Sequence, residues 1–164
     1  MTSSTWHVIS SPADAARLAG ATRLDGSLVV ELGAGPSLAL PALEEVTGDV
    51  DLGPPELAAL RLDRLRRVAG QLVVIGSSLS ELKLPALEEV GQCVEIDQNV
   101  ELVELALPRL RLIGASLILE NNAKLVRLAM PMLASVGMRL VCEGNSALDP
   151  AVWHAVVSRF STSA

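Results

Sequence analysis

Aromatic residues are almost absent from this sequence of 164 residues. Trp6, Trp153 and Phe160 are present and tyrosine is missing, although half of the chain is hydrophobic. Aromatic rings fill the irregular gaps of a globular core, whereas leucine and valine stack in similar layers. The shortage therefore argues against one irregular core and indicates a protein built from many small, similar layers.

Basic residues and long apolar runs are also scarce. The net charge is −6, whereas nucleic acids and anionic membranes are bound by clustered lysine and arginine. No window reaches the roughly 18 apolar residues of a membrane-spanning helix, and residues 1–11 lack the pattern of a secretion signal. We therefore expect a soluble cytoplasmic protein that binds neither nucleic acid nor membranes. A charged partner would be basic.

The residues that usually carry catalysis or bind metals are few and far apart. His7 and His154, the two histidines, lie near opposite ends of the chain, and no nucleotide-binding, nucleophile-elbow or Cys/His metal motif is present. Residues 33–36, Gly-Ala-Gly-Pro, lack the Lys-Ser/Thr of a phosphate-binding loop and are interpreted as a corner. The sequence thus predicts a protein that is not an enzyme and uses no cofactor or metal.

One stretch of nine residues recurs almost unchanged, as LALPALEEV at 38–46 and LKLPALEEV at 82–90. Degenerate copies fill the rest of the chain. The aliphatic residues that close the copies lie 22 or 23 residues apart: Val46, Val68, Val90, Ile113 and Val136. A glycine comes one or two residues after each, and an apolar-x-apolar pair begins four residues after each, as at Val94 and Ile96.

Alternation with a period of two is strand geometry, and a proline in most copies would break a helix. At a strand end the missing N–H of proline costs no ladder hydrogen bond. Each coil follows the last by the same path, so neighbouring strands run parallel. We therefore predict a mainly β fold, a right-handed parallel β-solenoid of about six coils of 22–23 residues.

The two ends depart from the repeat, as caps on an open solenoid must. Ser11-Pro12 precedes a short helical pattern, and Asp149-Pro150 begins another with Trp153 on its apolar stripe. We expect a single domain over 1–164, with a strand-and-helix cap at 1–24, repeats at 25–143 and a helix cap at 144–164.

The two cysteines, Cys93 and Cys142, fall two coils apart in this register, about 10 Å at the usual strand spacing. That separation exceeds the reach of a disulfide. We expect both thiols to be free, which suits a reducing cytoplasm, and Cys142 to fill an apolar core position.

These features together resemble the receptor L domain family, the leucine-rich solenoid of insulin- and growth-factor-receptor ectodomains. The resemblance rests on an opening strand at Trp6–Ile9, a short helix, and repeats of the form Leu-x-Leu-Pro-x-Leu-x-x-Val-Gly followed by a strand and asparagine, over about residues 6–160. It implies a leucine-rich-repeat-like solenoid that holds protein ligands on its sheet faces and edges. Without the secretion signal and terminal cysteines of those receptors, it implies a stand-alone intracellular or bacterial-type relative.

With the inward positions assigned to the core, the outward positions are the candidate binding residues. Those at the middle of the first strand form one column: Val29, Asp51, Val73, Glu95, Ile118 and Val141. Two residues further on, Asp97, Glu120 and Glu143 are expected to stack, at a cost in stability. One interpretation is structural. An equally favoured one is a surface for a basic protein partner, the docking face, made of Val73, Glu95, Asp97, Ile118, Glu120, Val141 and Glu143.

Other polar columns are predicted to be structural. Asn99, Asn122 and Asn145 would form an asparagine ladder at a corner. Two columns of alternating charge would form surface ion pairs, Glu44/Arg66/Glu88/Arg111 and Glu45/Arg67/Glu89. The acids of the docking face lie in a line rather than in a convergent loop, which disfavours a metal site.

The leading functional hypothesis is a non-enzymatic protein–protein interaction module that uses the docking face. The alternative is a self-assembling structural or scaffold protein that forms oligomers or filaments by end-to-end or side-to-side contact. A third hypothesis, a ligand-sensing domain, lacks a visible pocket-forming insertion.

Overall fold

The computed structural model describes residues 5–160, so the outermost parts of the two predicted caps, residues 1–4 and 161–164, lie outside the described residues. The described chain is a parallel β-solenoid of about six coils with one short helix near each end. The predicted fold class is confirmed. The repeat spacing predicts this fold because each coil adds one strand to every side of the solenoid.

The largest side is a seven-stranded parallel sheet that receives one strand from each successive coil. Its strands are, in spatial order, β1 (Trp6–Ile9), β3 (Ser27–Val30), β6 (Val50–Leu52), β9 (Leu72–Ile75), β12 (Val94–Asp97), β15 (Leu117–Glu120) and β18 (Leu140–Glu143). The apolar-x-apolar pairs of the sequence lie on these strands. Both apolar residues of a pair, such as Val94 and Ile96, face the core.

The second side is a six-stranded parallel sheet of very short strands. They are β2 (Arg23–Leu24), β5 (Glu45–Val46), β8 (Arg67–Val68), β11 (Glu89–Val90), β14 (Leu112–Ile113) and β17 (Ser135–Val136). The third side consists of two separate sheets, one of two strands and one of three. These are β4 (Ser37–Ala39) with β7 (Ala59–Arg61), and β10 (Glu81–Lys83) with β13 (Glu104–Ala106) and β16 (Arg127–Ala129).

Leucine and valine columns from the three sides meet in one continuous core. Leu82 and Leu105, in register on the third side, are completely buried, as are Val90 and Ile113 on the second. A fully buried aliphatic side chain stabilises the fold by about 1.5–3 kcal/mol relative to an exposed one. Each coil repeats the same set, although Val136, Leu140 and Cys142 of the last coil are only partly buried.

The backbones of successive coils pack directly against one another at the glycine that follows each closing residue. A Cβ at Gly114 would lie against the carbonyl oxygen of Gly91, and one at Gly137 against that of Gly114. Only glycine lets the backbones pack at this distance, which explains why a glycine recurs with the repeat.

Both predicted cap helices are confirmed. Helix α1 (Pro12–Leu18) begins after Ser11, whose hydroxyl accepts a hydrogen bond from the N–H of Asp14. Helix α2 (Pro150–Val157) begins after Asp149, whose carboxylate accepts from the N–H of Ala151 at 2.8 Å. Val156 of α2 is buried and Trp153 packs against the core.

Cys93 and Cys142 are free thiols, as expected. Cys142 lies opposite Leu119 in the adjacent strand and packs partly against the core. Burial raises the pKa of its thiol, and a hydrogen bond from the Asn145 amide opposes that shift in part. Over residues 5–160, no helix has the length and apolar character needed to cross a membrane.

Candidate functional site

The outer side of the seven-stranded sheet brings all the predicted docking residues together. Val73, Glu95, Ile118 and Val141 are successive partners across β9, β12, β15 and β18. Each of these four side chains is half-buried, because its neighbours in the column cover part of it. The column predicted from the sequence therefore exists as a mixed aliphatic and acidic row.

The second row of the docking face is acidic. Asp97 pairs with Glu120, and Glu120 pairs with Glu143, so the three carboxyl groups occupy adjacent strands. Adjacent strands lie about 4.8 Å apart. The predicted stack of like charges is confirmed in its register, and the residue next to Asp97 on the other side is Ile75.

Amide side chains offset part of this repulsion at Asp97. Its two carboxylate oxygens accept hydrogen bonds at 3.0 Å from the side chains of Gln98 and Asn121. Both donors have left-handed backbones, with φ of 55° and 53°. The same corner position is glycine in the neighbouring coils, at Gly76 and Gly144, which is the sequence signal that was missed. Among the described residues, Glu120 and Glu143 form no ion pair.

No lysine or arginine occurs within the seven strands of this sheet. Asp51, on the same face, has a raised pKa because burial disfavours its charged form and Asp49 lies nearby with the same charge. The outer surface of the sheet therefore carries acids and aliphatic side chains from β6 to β18, with the exposed Trp6 on β1.

The asparagine ladder holds the acidic row in place. The side-chain amides of Asn99, Asn122 and Asn145 donate to the carbonyl oxygens of Val74, Ile96 and Leu119, one coil earlier, at 2.8, 2.8 and 2.7 Å. Asn99 and Asn122 are fully buried. Each asparagine lies two residues after an acid of the docking face, so the ladder fixes the end of the strand that carries that acid. The structural interpretation of this column is confirmed.

The ladder also connects its members to one another. The Oδ1 atom of Asn122 accepts from the backbone N–H of Asn99 at 3.1 Å, and Oδ1 of Asn145 accepts from the N–H of Asn122 at 3.0 Å. In the shorter third coil Ser77 takes the place of asparagine and donates to Oδ1 of Asn99 at 2.7 Å.

Of the two charge columns predicted on the second sheet, one forms ion pairs. Arg67 lies 3.5 Å from the carboxylate of Glu89 and 3.9 Å from that of Glu45, measured between nitrogen and oxygen. The other column is in register through its backbone, with the N–H of Arg66 bonded to the carbonyl of Glu44 at 2.8 Å. Its side chains form no ion pairs among residues 5–160, so that part of the prediction was wrong.

The third side has an ion-pair network that sequence reasoning missed. Glu104 lies 2.9 Å from Arg127 and 3.3 Å from Lys83, on the strands either side of it. Hydrogen bonding to Arg127 and Lys83 lowers the pKa of Glu104. The sequence signal for this network is the spacing of Glu81, Glu104 and Arg127, which are 23 residues apart.

The remaining candidate features do not converge on a chemical site. His7 in β1 and His154 in α2 lie at opposite ends, as predicted, and His7 contacts the carbonyl of Asp25 at 3.1 Å. In the 33–36 turn, the N–H groups of Gly33 and Gly35 both donate to the carboxylate of Glu56. Within the described part of the chain, no three His, Cys, Asp or Glu side chains are grouped so as to hold a metal ion.

Two hollows lie beside the C-terminal helix. One, of about 290 Å³, is bordered by Cys142, Asn145, Leu148 and Trp153, and the other, of about 460 Å³, lies between α2 and Met130. Their walls are mainly apolar, and neither contains a pair of titratable groups suited to acid–base chemistry.

No protein-family model, curated protein or solved structure matches this chain. Its fold is therefore defined by its strand register, and its candidate site by the side chains that the register brings together.

Proposed function

We propose that this chain is a non-enzymatic protein-binding module whose docking face receives a partner with a basic surface. The observation that supports the proposal is the composition of the face. It combines stacked acids with half-buried aliphatic side chains, in a sheet whose seven strands contain no lysine or arginine. Such a surface steers a basic protein by charge and offers apolar area on contact.

The dimensions of the sheet limit the area that a partner can bury on it. Seven strands at about 4.8 Å and four residues at about 3.3 Å give a surface of roughly 29 by 10–13 Å. That is less than the roughly 800 Å² that each partner buries in a standard interface. A partner confined to this face would bind transiently and in a salt-dependent manner, because exposed charge pairs contribute only about 0.2–1 kcal/mol each.

The resemblance to receptor L domains supports the same function. Members of that family hold protein ligands on solenoid surfaces, and the described chain is a parallel β-solenoid of about six coils. We propose a stand-alone, leucine-rich-repeat-like relative that works in a reducing compartment such as the cytoplasm, where Cys93 and Cys142 would stay free.

End-to-end self-assembly is the less favoured alternative. Helix α1 contacts β1 and β4, and α2 lies beside Met130 on the third side of the last coil, where another copy would have to continue that side. A helix is about 10 Å across with its side chains, twice the spacing of strands, so two facing helices would hold the terminal strands apart.

The direct test replaces the acids of the docking face without changing their size. In the Asp97→Asn/Glu120→Gln/Glu143→Gln variant we expect capture of an arginine-rich peptide, and of proteins from the native cell extract, to fall at least tenfold. The matched control is Glu44→Gln/Asp63→Asn/Glu88→Gln, which removes three negative charges from other sides of the solenoid and should leave capture intact. Equal capture by both variants would exclude the docking face as the binding surface.

A further inference from the structure

Four arginines lie on the side of the solenoid away from the docking face, two of them in the column where Glu44 and Glu88 alternate with Arg66 and Arg111. Arg64, Arg66, Arg109 and Arg111 lie where the chain turns from the third side into the second sheet, and we call this group the arginine corner. All four are exposed. Within residues 5–160 none of them forms an ion pair, whereas Arg23, Arg67 and Arg127 each have carboxylate partners.

The repeat fixes the spacing of the arginine corner. Val68, Val90 and Ile113 are in register across β8, β11 and β14, and Arg64 and Arg109 each lie four residues before the first and last of them. The two arginines are therefore two coils apart, about 10 Å along the axis. Arg66 and Arg111 are also two coils apart, bonded through the backbone of Glu88 at 2.8 and 2.9 Å.

The docking face has the same period with the opposite charge. From Asp97 to Glu143 is also two strands, about 10 Å, with Glu120 between them. A second solenoid with its axis alongside the first would bring one arginine pair level with the outer acids of this row. Both surfaces have this spacing because both follow the same coil height.

We propose that the docking face binds the arginine corner of a second copy of this chain. The inference rests on the proposed function and names the basic partner. One molecule cannot make the contact with itself, because Leu65 behind the corner and Leu119 behind the face are buried in the core between them. The contact is heterologous, so each added copy leaves one face and one corner free and side-by-side growth can continue.

The interaction depends on ionic strength. Exposed charges are screened over about 8 Å at 0.15 M salt and over about 30 Å at 0.01 M. At 0.01 M salt we expect sedimentation velocity to show dimers and larger species, with a weight-average mass at least twice that of the monomer. Raising the salt to 0.5 M should return the protein to monomer. A wild-type chain that stays monomeric at 0.01 M salt and high concentration would overturn the proposal.

Two neutral variants test the pairing of the surfaces. Glu120→Gln/Glu143→Gln weakens the docking face but keeps the corner, and Arg64→Gln/Arg109→Gln weakens the corner but keeps the face. Each variant alone should be monomeric at 0.01 M salt. Mixed in equal amounts, they should form a 1:1 heterodimer that grows no further, because only one face and one corner remain intact in the pair.

A control variant and the peptide assay distinguish self-association from the proposed binding of other basic partners by the docking face. Arg17→Gln/Lys124→Gln removes two cations outside the corner and should assemble like the wild type, while circular dichroism checks that every variant is folded. Assembly that survives in both surface variants refutes the second copy as the occupant. If the peptide is still captured through the docking face in that case, the protein-binding function stands. If capture is also independent of the face, both proposals fail.

Discussion

Replacing Asn122 by alanine should be among the most damaging polar substitutions in this protein. Its side chain is fully buried, and its amide donates to the carbonyl of Ile96 at 2.8 Å. Its Oδ1 atom accepts from the backbone N–H of Asn99 at 3.1 Å. Alanine would leave at least these two backbone groups buried without a partner, at about 1–3 kcal/mol each. We therefore expect the free energy of unfolding to fall by about 2–6 kcal/mol.

Asn145 is the matched comparison on the same ladder. It donates to the carbonyl of Leu119 at 2.7 Å but is only half-buried, at the C-terminal end of the column. Water can replace part of the hydrogen bonding of its amide, so Asn145→Ala should lower the free energy of unfolding by about 1–2 kcal/mol. Urea unfolding followed by circular dichroism measures both, provided that the slope with urea is the same for each variant.

The order of the two losses in stability tests whether the buried ladder stabilises the fold. If Asn122→Ala cost less than 1 kcal/mol, or less than Asn145→Ala, the buried ladder would not be a source of stability. Asn122→Asp adds a second check at constant shape. It removes the amide donor and places a carboxylate in a buried position, so it should destabilise at neutral pH. Burial raises the pKa of the new acid, so part of the loss should be recovered as the pH falls toward 4.

The other predictions concern a raised pKa and a close approach. Because the pKa of Asp51 is raised in the folded state, its ionisation costs stability at neutral pH. Asp51→Asn should stabilise at pH 7, and its advantage should shrink as the pH falls through the raised pKa and be gone below the ordinary value of 3.8. Gly114→Ala should lower the melting temperature by several degrees, because its Cβ would meet the carbonyl of Gly91, whereas Gly20→Ala, with open space around it, should change it little. A smaller loss for Gly114→Ala than for Gly20→Ala would contradict this account of coil contact, as would an unchanged Asp51→Asn advantage at low pH.

The register of the solenoid could be predicted because one spacing determines it. When aliphatic residues recur every 22 or 23 positions and side chains alternate inward and outward, the neighbours of Ile118 must be Glu95 and Val141. The asparagine ladder followed from the same spacing together with the turn preference of asparagine. These properties belong to the backbone path, which the repeat fixes.

The ion pairs could not be predicted as well as the strand register. Two charged residues in one column have neighbouring backbones, but their side chains need not meet. Arg66 and Glu44 are neighbours through the backbone, yet their side chains form no ion pair, whereas Arg67 and Glu45 do. Long side chains have many rotamers, and ordering them offsets most of the gain from an exposed pair. The amides that satisfy Asp97 were missed for another reason, since their positions depend on two left-handed residues rather than on periodicity.

The acidic row should trade stability for binding, and its middle member should show this most clearly. Glu120 has an acid on each adjacent strand, whereas Glu143 has one on a single side. Two unit charges about 4.8 Å apart repel by about 0.9 kcal/mol in water, less where flexible side chains separate. Glu120→Gln should therefore raise the free energy of unfolding by about 1 kcal/mol and Glu143→Gln by about half of that. Both gains should disappear in 1 M salt, while peptide capture by the docking face falls in each variant. A row kept only for structure would instead lose stability when Glu120 is neutralised, and urea unfolding at low and high salt distinguishes the two outcomes.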